Sequence, residues 1–419
     1  MASEYYRTTY GSTRGQHRSA LGILFDVVMA FVSIIVAATF FLILLLPTLD
    51  PRSCNELSVL GLVAPFVYIA QAAVTIYWII RWRPWVATPM ILLSLAGLFQ
   101  LSLFYKIEFR RVYTEPNLRP RYDKSALKVM SYNVRSFIDD NGNRCIDSVV
   151  EIIRALNPDI VCLQEMGFSD NVDSLLEPLK LKPMPGSVSR HELSPAIYSR
   201  FPIIKAERID SMKNFVWADL LVREDTIRVY NVHLHSTAIR RDDSNYIENH
   251  EYLESDSVGK ILSMVNRLTV NNQLRAEQAD TLAFLMRMSD YPTIICGDFN
   301  DTPVSYTYRT IGKNMHDAFR RVGRGYSHTY RGFFDMLRID YVMSSKEFEP
   351  LSYEVVDSWG LEEQIVGRGQ NRDTVMVRVF GNRHAVPTPE LKDSVIDNRL
   401  LYSDHYPLYV RLRYNGKTN

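Results

Sequence analysis

Three stretches in the first quarter of the chain are almost free of charge, and they limit what it can fold into more than any later feature. The first, Val27–Pro47 (VVMAFVSIIVAATFFLILLLP), is bracketed by Asp26 and Asp50. The second runs from Val59 to Ile80 and the third from Val86 to Tyr105, with Gln71 and Gln100 as their strongly polar residues. At 1.5 Å per residue, a helix of roughly 20 residues matches a hydrocarbon core of about 30 Å. A helix that is apolar all round has no polar face to turn to water, so these runs read as transmembrane helices rather than surface helices of a globular domain. Tyr77, Trp78, Trp82, Trp85 and Tyr105 gather near the run ends, where amphipathic rings favour the headgroup level. A cleaved signal peptide fits the first run poorly, because it is longer than an h-region, no small-x-small cleavage site follows, and two more spans come next.

Orientation is nearly balanced. Arg7, Arg14 and Arg18 precede the first span and Arg81 and Arg83 fill the second turn, whereas Lys106, Arg110, Arg111, Arg119 and Arg121 follow the third. The usual dominance of the first helix tips the expectation toward an extracytoplasmic C-terminal part. The unremarkable cysteine usage pulls the other way: the four Cys have no C-x-x-C spacing, and Cys162 and Cys296 lie inside apolar runs (DIVCLQE, TIICGDF) as small buried hydrophobes do.

The chain therefore divides into a tail (1–26), a three-span region (27–105, with spans 27–47, 59–80 and 86–105), a charged, Pro-containing linker (106–125) and a domain (126–414). Whole-chain averages hide this division. With Lys+Arg 48 against Asp+Glu 47 the formal charge is +1, which excludes a polycation that binds nucleic acid by charge alone. The first 123 residues hold 11 Lys+Arg and 7 Asp+Glu, and the remainder 37 and 40. The positive charge lies beside the apolar spans, and the domain is mildly acidic.

From Ala126 the text changes to short β-rich runs alternating with helical stretches: KVMSYNV, a helix from about Ile146 to Leu156, DIVCLQE, then SPAIYSR, FVWADLLV, TIRVYNVHL, YPTIICGDF, RIDYVMSS and HYPLYVRL. Continuous apolar strands such as TIICG suit sheets covered on both faces, which predicts a layered α/β domain with two packed sheets. A longer helical region spans about Asp256 to Met288, and the polar, acidic segment Ile239–Leu253 before it reads as a surface insertion.

Several strands end in polar residues where apolar ones would be expected. These are Asn133 in MSYNVRS, Glu165 in VCLQEM, His233 in YNVHLHS, Asp298 and Asn300 in ICGDFND, Asp340 in RIDYV, and Asp404 with His405 in YSDHYPL. A strand end can project a side chain into a cleft at the sheet edge. One such residue is usually a turn former, but the ordered set is specific. With LQE, GDFN, RIDYV and SDHYP it resembles the endonuclease/exonuclease/phosphatase superfamily over about Ala126–Tyr414; the apolar spans lie outside the resemblance.

The resemblance implies a DNase I-like fold: two packed mixed β-sheets flanked by helices, a four-layer α/β sandwich, here preceded by three transmembrane helices. It implies hydrolysis of a phosphoester by activated water with Mg²⁺ or Mn²⁺. Glu165, Asn133 and Asp404 would hold the metal. Hard carboxylate and amide oxygens suit such an ion, and no Cys/His cluster has zinc spacing. In the family pattern Asp298 would position and deprotonate the water, with Asn300 orienting it. His405 would contact the phosphate and Asp340 would fix its tautomer, with His233 and Ser236 as a further phosphate-gripping pair. Arg275 and Gln278, one helical turn apart in RAEQ, read either as braces of the site or as plain surface residues.

The substrate is left open among nucleic acid, phospholipid headgroups and small phosphoesters. The mildly acidic domain weighs against a duplex nuclease, although RVGRGYSHTYRGFF (Arg321–Phe334) mixes Arg with aromatics as a strand-binding loop would. An unspecified phosphodiesterase ranks first, a DNA or RNA nuclease second and a phospholipid phosphodiesterase third. A membrane-anchored binding protein without catalysis is the reading from a different class.

Overall fold

A computed structural model describes residues 20–107, 125–167, 171–185, 195–209, 214–236, 257–366, 373–380 and 398–416. Most of the N-terminal tail and of the linker, and the insertion 239–253, lie outside the described residues.

Three helices form the apolar region: α1 (Ala20–Leu45), α2 (Leu60–Ile80) and α3 (Pro84–Leu101). Each is long and apolar enough to cross a membrane. Helix α1 begins at Ala20 rather than Val27, so Asp26 falls inside it. Its carboxylate is tolerated there because Oδ1 accepts from Arg81 Nε at 2.7 Å and from the Tyr77 hydroxyl at 2.6 Å. Further along, Gln71 Nε2 donates to Ser94 Oγ at 3.2 Å and to the Met90 carbonyl at 3.3 Å, while Trp78 Nε1 donates to Ser33 Oγ at 2.8 Å. These contacts satisfy polar groups whose isolation among apolar side chains would be costly. Helix α3 stops at Leu101, and Tyr105 instead pairs with Tyr326 in a two-stranded ladder.

The remainder is built on two mixed six-stranded sheets. The first contains β1 (Leu127–Asn133), β2 (Ile160–Gln164), β3 (Lys182–Pro183), β4 (Ala196–Ser199), β11 (Phe348–Val355) and β12 (Leu408–Tyr414), in the spatial order β11-β12-β1-β2-β4-β3. The second contains β5 (Ile203–Arg208), β6 (Phe215–Val222), β7 (Asp225–His233), β8 (Thr293–Asp298), β9 (His316–Asp317) and β10 (Asp340–Ser344), in the order β9-β10-β8-β7-β6-β5. Each sheet holds one parallel pair, β1 with β2 and β7 with β8. Parallel neighbours need a long crossover, and each pair has a helix: α4 (Ile146–Leu156) and α5 (Ser257–Arg287) respectively. Strands at Ser358–Val366, Asp373–Phe380 and Asn398–Arg399 add a three-stranded sheet.

Alternation of side chains makes three layers of core. Val129, Ile160, Cys162, Ile197 and Val410 of the first sheet meet Val216, Ala218, Val229, Ile294, Cys296 and Val342 of the second. The opposite face of the first sheet, with Met130, Tyr132, Val161 and Leu163, is covered by Val149, Ile152, Ile153 and Leu156 of α4. That helix ends where Asn157 adopts a left-handed conformation and its N–H reaches the Ile153 carbonyl at 2.9 Å. The outer face of the second sheet carries Trp217, Tyr230, Val232, Ile295 and Tyr341 against Ala279 and Leu282 of α5.

Ile43, Leu46, Ala64, Leu103 and Phe104 join that same outer cluster, so the apolar helices are docked on the domain rather than tethered to it. Hydrogen bonds reinforce the seam: Arg338 Nη2 to the Leu103 carbonyl at 3.0 Å, Arg309 Nη1 to the Pro47 carbonyl at 3.2 Å, and Arg52 Nη2 to Asp280 Oδ2 at 2.6 Å.

Candidate active site

Register alone assembles most of the site. The parallel pairing of β7 and β8 sets His233 beside Asp298, and the antiparallel pairing of β8 and β10 sets Asp340 on the other side of Asp298. In the first sheet Asn133 pairs with Gln164, which leaves Glu165 as the first residue past β2. Strand β12 runs antiparallel to β1 with Leu408 opposite Ser131, so Asp404 and His405 enter at the same edge.

Asp298 is the hub. Its Oδ2 accepts from Asn133 Nδ2 at 3.1 Å and from Asn300 Nδ2 at 3.2 Å, and its Oδ1 accepts from the Asn300 backbone N–H at 2.7 Å. His405 Nε2 lies 3.6 Å and His233 Nε2 3.8 Å from Oδ2. Asn133 also donates to Glu165 Oε1 at 3.0 Å, and His233 Nε2 is 3.3 Å from that same oxygen. His405 Nδ1 lies 2.9 Å from Asp340 Oδ2. The Ser403 hydroxyl sits 2.8 Å from the Asn133 carbonyl and 3.3 Å from Asp404 Oδ1. Ser236 is exposed, at the end of its described segment.

Burial sets the charges. It pushes the Asp298 carboxyl up to about 6; His405 opposes this, the Asp340 charge adds to it, and His233 opposes it more weakly. Burial pulls His405 down, but the charges of Asp340 and Asp298 and the hydrogen bond to Asp340 outweigh it, so its pKa lies well above the ordinary value. A protonated imidazole between two carboxylates is the outcome.

The backbone is bent to make this arrangement. Glu165 has φ of 51° and Asn300 of 52°; asparagine adopts that region readily, whereas glutamate does so at a cost. The bend at Glu165 is held by the Ser136 N–H, which donates to its carbonyl at 2.7 Å. Gly297 has φ of 139°, and a Cβ there would lie 1.9 Å from the Val232 carbonyl oxygen, so only glycine lets β7 and β8 run side by side into the site.

Behind the hub, Arg275 is almost completely buried. Its Nη1 donates to the His235 carbonyl at 2.8 Å, its Nε lies 3.6 Å from Asp301 Oδ2, and Gln278 Oε1 accepts from the His235 N–H at 2.8 Å. Both helix residues thus brace the chain just past His233. Asp301, Tyr330, Arg331 and Asp140 belong to the surroundings of the site but were not evident in the sequence. The Tyr330 ring centroid is 5.1 Å from that of His405, the Arg331 N–H donates to the Asp404 carbonyl at 2.8 Å, and Arg331 Nη2 pairs with Asp140 at 2.7 Å. The available signals were the place of Asp301 directly after Asn300 and the Arg-aromatic run around Tyr330.

The donor set fits a hard divalent cation. The buried Asp298, Asp340 and His405 offer ligand atoms within 4.8 Å of one another. Asp340 Oδ1 is buried without a hydrogen-bond partner among the described residues. A buried carboxylate oxygen that lacks a proton donor suits a hard divalent cation.

Residues 130–405 match the model of the Endonuclease/Exonuclease/phosphatase family, and residues 26–104 match a domain of unknown function. Comparison with curated proteins returned no match. Among solved structures, D. rerio TDP2 complexed with single-strand DNA product is 15% identical with a TM-score of 0.41, covering 69% of this chain and 99% of that one. The human Nocturnin catalytic domain is 17% identical with a TM-score of 0.41, covering 71% and 95%. A mannosyl-6-phosphatase from Bacteroides thetaiotaomicron is 15% identical with a TM-score of 0.39, covering 69% and 100%. From the family match across most of its length and the ordered strand-end residues within that span, this chain belongs to the Endonuclease/Exonuclease/phosphatase family.

Proposed function

We propose that the protein is a membrane-anchored phosphoesterase that hydrolyses a phosphodiester with activated water, using Mg²⁺ or Mn²⁺. The observation that carries this reading is the Asp298 carboxyl, buried, held by Asn133 and Asn300, and raised to about 6. A base with that pKa is mostly ionised at neutral pH yet basic enough to take a proton from water.

In this reading Asp298 accepts the proton of the attacking water and Asn300 orients that water. His405, kept protonated by Asp340, donates a hydrogen bond to a phosphate oxygen. His233 and Ser236 grip the phosphate on the other side. Glu165, Asn133 and Asp404 would hold the cation, which neutralises phosphate charge and assists departure of the leaving oxygen. The three apolar helices would span a bilayer, with the domain on the extracytoplasmic side.

The test is hydrolysis of bis(p-nitrophenyl) phosphate by the full chain in detergent, with Mg²⁺ or Mn²⁺ and then with a chelator. Turnover that disappears on chelation and in Asp298→Asn supports the proposal; full activity in Asp298→Asn refutes the assignment. Protease digestion of intact and lysed cells tests the sidedness, since protection until lysis would reverse it.

A further inference from the structure

We infer that the cleft takes its substrate from the bilayer: a phosphoester carried by a membrane-embedded amphiphile, entering between α2 and the rim loop 330–335. This rests on the phosphoesterase reading and names its substrate class.

One loop touches both the catalytic edge and an apolar helix. At one end Tyr330 lies against His405, and Arg331 is hydrogen-bonded to Asp404. Further along, Phe333 packs with Leu337, Ile339 and Leu62 of α2, joined by Met264 and Leu268 of α5. The contact on α2 is close: a Cβ on Gly61 would lie 2.7 Å from Thr302 Oγ1, two residues past Asn300. The start of α2 therefore forms a wall beside the catalytic loop.

The outer side of this wall is apolar and open. Phe334 is 42% exposed and meets Phe66, 38% exposed, edge-on at 5.9 Å between ring centroids. Phe66 lies six residues into α2, about 9 Å along its axis, so Phe334 contacts the helix within its apolar stretch rather than at its polar end. On α5, Leu262 is 63% exposed and Ile261 40%, two or three residues before Met264 of the same cluster. Large apolar side chains grouped at a rim mark an interaction surface. Continuity with α2 identifies the occupant as lipid. The loop also holds an unfavourable backbone to present this ring, with φ of 59°, 61° and 55° at Phe333, Phe334 and Asp335. Left-handed conformations at three successive non-glycine residues are costly and persist only where surrounding structure enforces them. The mildly acidic domain adds no general attraction for a polyanion in solution.

The experiment reconstitutes the full chain in vesicles of phosphatidylethanolamine and phosphatidylglycerol with Mg²⁺. It follows release of phosphorylated headgroup alongside hydrolysis of bis(p-nitrophenyl) phosphate. The expected result is headgroup release, with Phe334→Ser lowering the ratio of lipid to soluble turnover about tenfold and Phe334→Leu restoring it. Adding Phe334→Trp to Asp298→Asn should increase the fluorescence quenched by lipid brominated near the headgroup over that of Asp298→Asn alone, whose five native tryptophans supply the background. Soluble diester hydrolysis without headgroup release, an unchanged ratio in Phe334→Ser, or no quenching beyond that background overturns this inference and leaves the phosphoesterase reading standing. Failure to cleave either substrate removes the phosphoesterase reading, and this inference with it.

Discussion

His405 presents Nδ1 to Asp340 at 2.9 Å and turns Nε2 toward Asp298 at 3.6 Å, so one imidazole links the outer carboxylate to the hub of the site. Replacing Asp340 with Asn keeps the shape and removes the charge that holds His405 protonated. The imidazole pKa should fall, because burial is then opposed only by the charges of Asp298 and Asp404. Diester turnover should drop roughly 10²- to 10⁴-fold, the range for loss of a positioned acid or base. The basic limb of the pH–rate profile should move to lower pH. A profile with an unmoved basic limb would separate Asp340 from this role.

Asp298→Asn should split activity from stability. The folded carboxyl is raised to about 6 from an ordinary value of 3.8. The folded state therefore holds this proton more tightly than the unfolded chain. The resulting stabilisation is fully present below the unfolded value and is lost as pH rises through about 6. At pH 7 the ionised group is a burden of about 3 kcal/mol in the metal-free protein, which a neutral amide of the same size relieves. Turnover should fall by at least about 10² while the metal-free thermal midpoint rises. Loss of both would mean that Asp298 is needed chiefly for folding.

The strand-end residues were legible because each sits in a short local signature, and the register of paired strands turns sequence order into proximity. His233, Asp298 and Asp340 come together by register alone, which requires no knowledge of side-chain packing. The bracing of His235 by Arg275 was partly legible from RAEQ, but its partner Asp301 was not, since a carboxylate after GDFN could equally face water. The docking of the apolar helices was hidden for another reason. Ile43, Ala64 and Phe104 look the same in sequence whether they face lipid or join the outer cluster of the second sheet, because both surroundings are apolar. Helix α1 was read as starting at Val27 because Asp26 breaks the apolar run, and only its pairing with Arg81 and Tyr77 explains why the helix continues through it.

That docking makes the domain dependent on the apolar helices. Removing residues 1–104 would strip Ile43, Leu46, Ala64, Leu103 and Phe104 from the cluster on the outer face of the second sheet. Burial of large apolar side chains contributes about 1.5–3 kcal/mol each, so the loss is comparable with the whole stability of a typical domain. The truncated chain should aggregate, or unfold far below the full chain in detergent. Size exclusion and thermal unfolding check this, and a monomer with an unchanged midpoint would mean that the seam contributes little.

Gly297→Ala should be far more damaging than its one added methyl suggests. The new Cβ would meet the Val232 carbonyl oxygen at 1.9 Å, on backbone that cannot give way without breaking the β7–β8 ladder, and the φ of 139° is unfavourable for alanine in any case. Destabilisation of about 4 kcal/mol or more is expected, at the diagnostic end of single substitutions. Because His233 and Asp298 are aligned by that ladder, turnover should fall even where the variant remains folded. Denaturant unfolding combined with diester turnover measures both, and a variant within about 1 kcal/mol of the parent would contradict the assigned strand spacing.

The rim loop should respond to pH through His328. Its Nδ1 lies 2.9 Å from Asp335 Oδ1 and its Nε2 3.8 Å from Asp357, with the Tyr406 ring 5.5 Å away. The hydrogen bond to Asp335 raises its pKa above 6.5, against burial, with the charges of Asp335 and Asp357 adding and Arg399 opposing. A raised folded pKa means stabilisation that is complete below the unfolded value and lost as pH climbs through the folded one. Protease cleavage within residues 328–335 should therefore quicken from pH 6 to pH 8.5, relative to cleavage elsewhere in the chain. His328→Gln should flatten that dependence. An equal acceleration in the variant would mean that another group governs the loop, and that the Asp335 end of the rim is held independently of the imidazole.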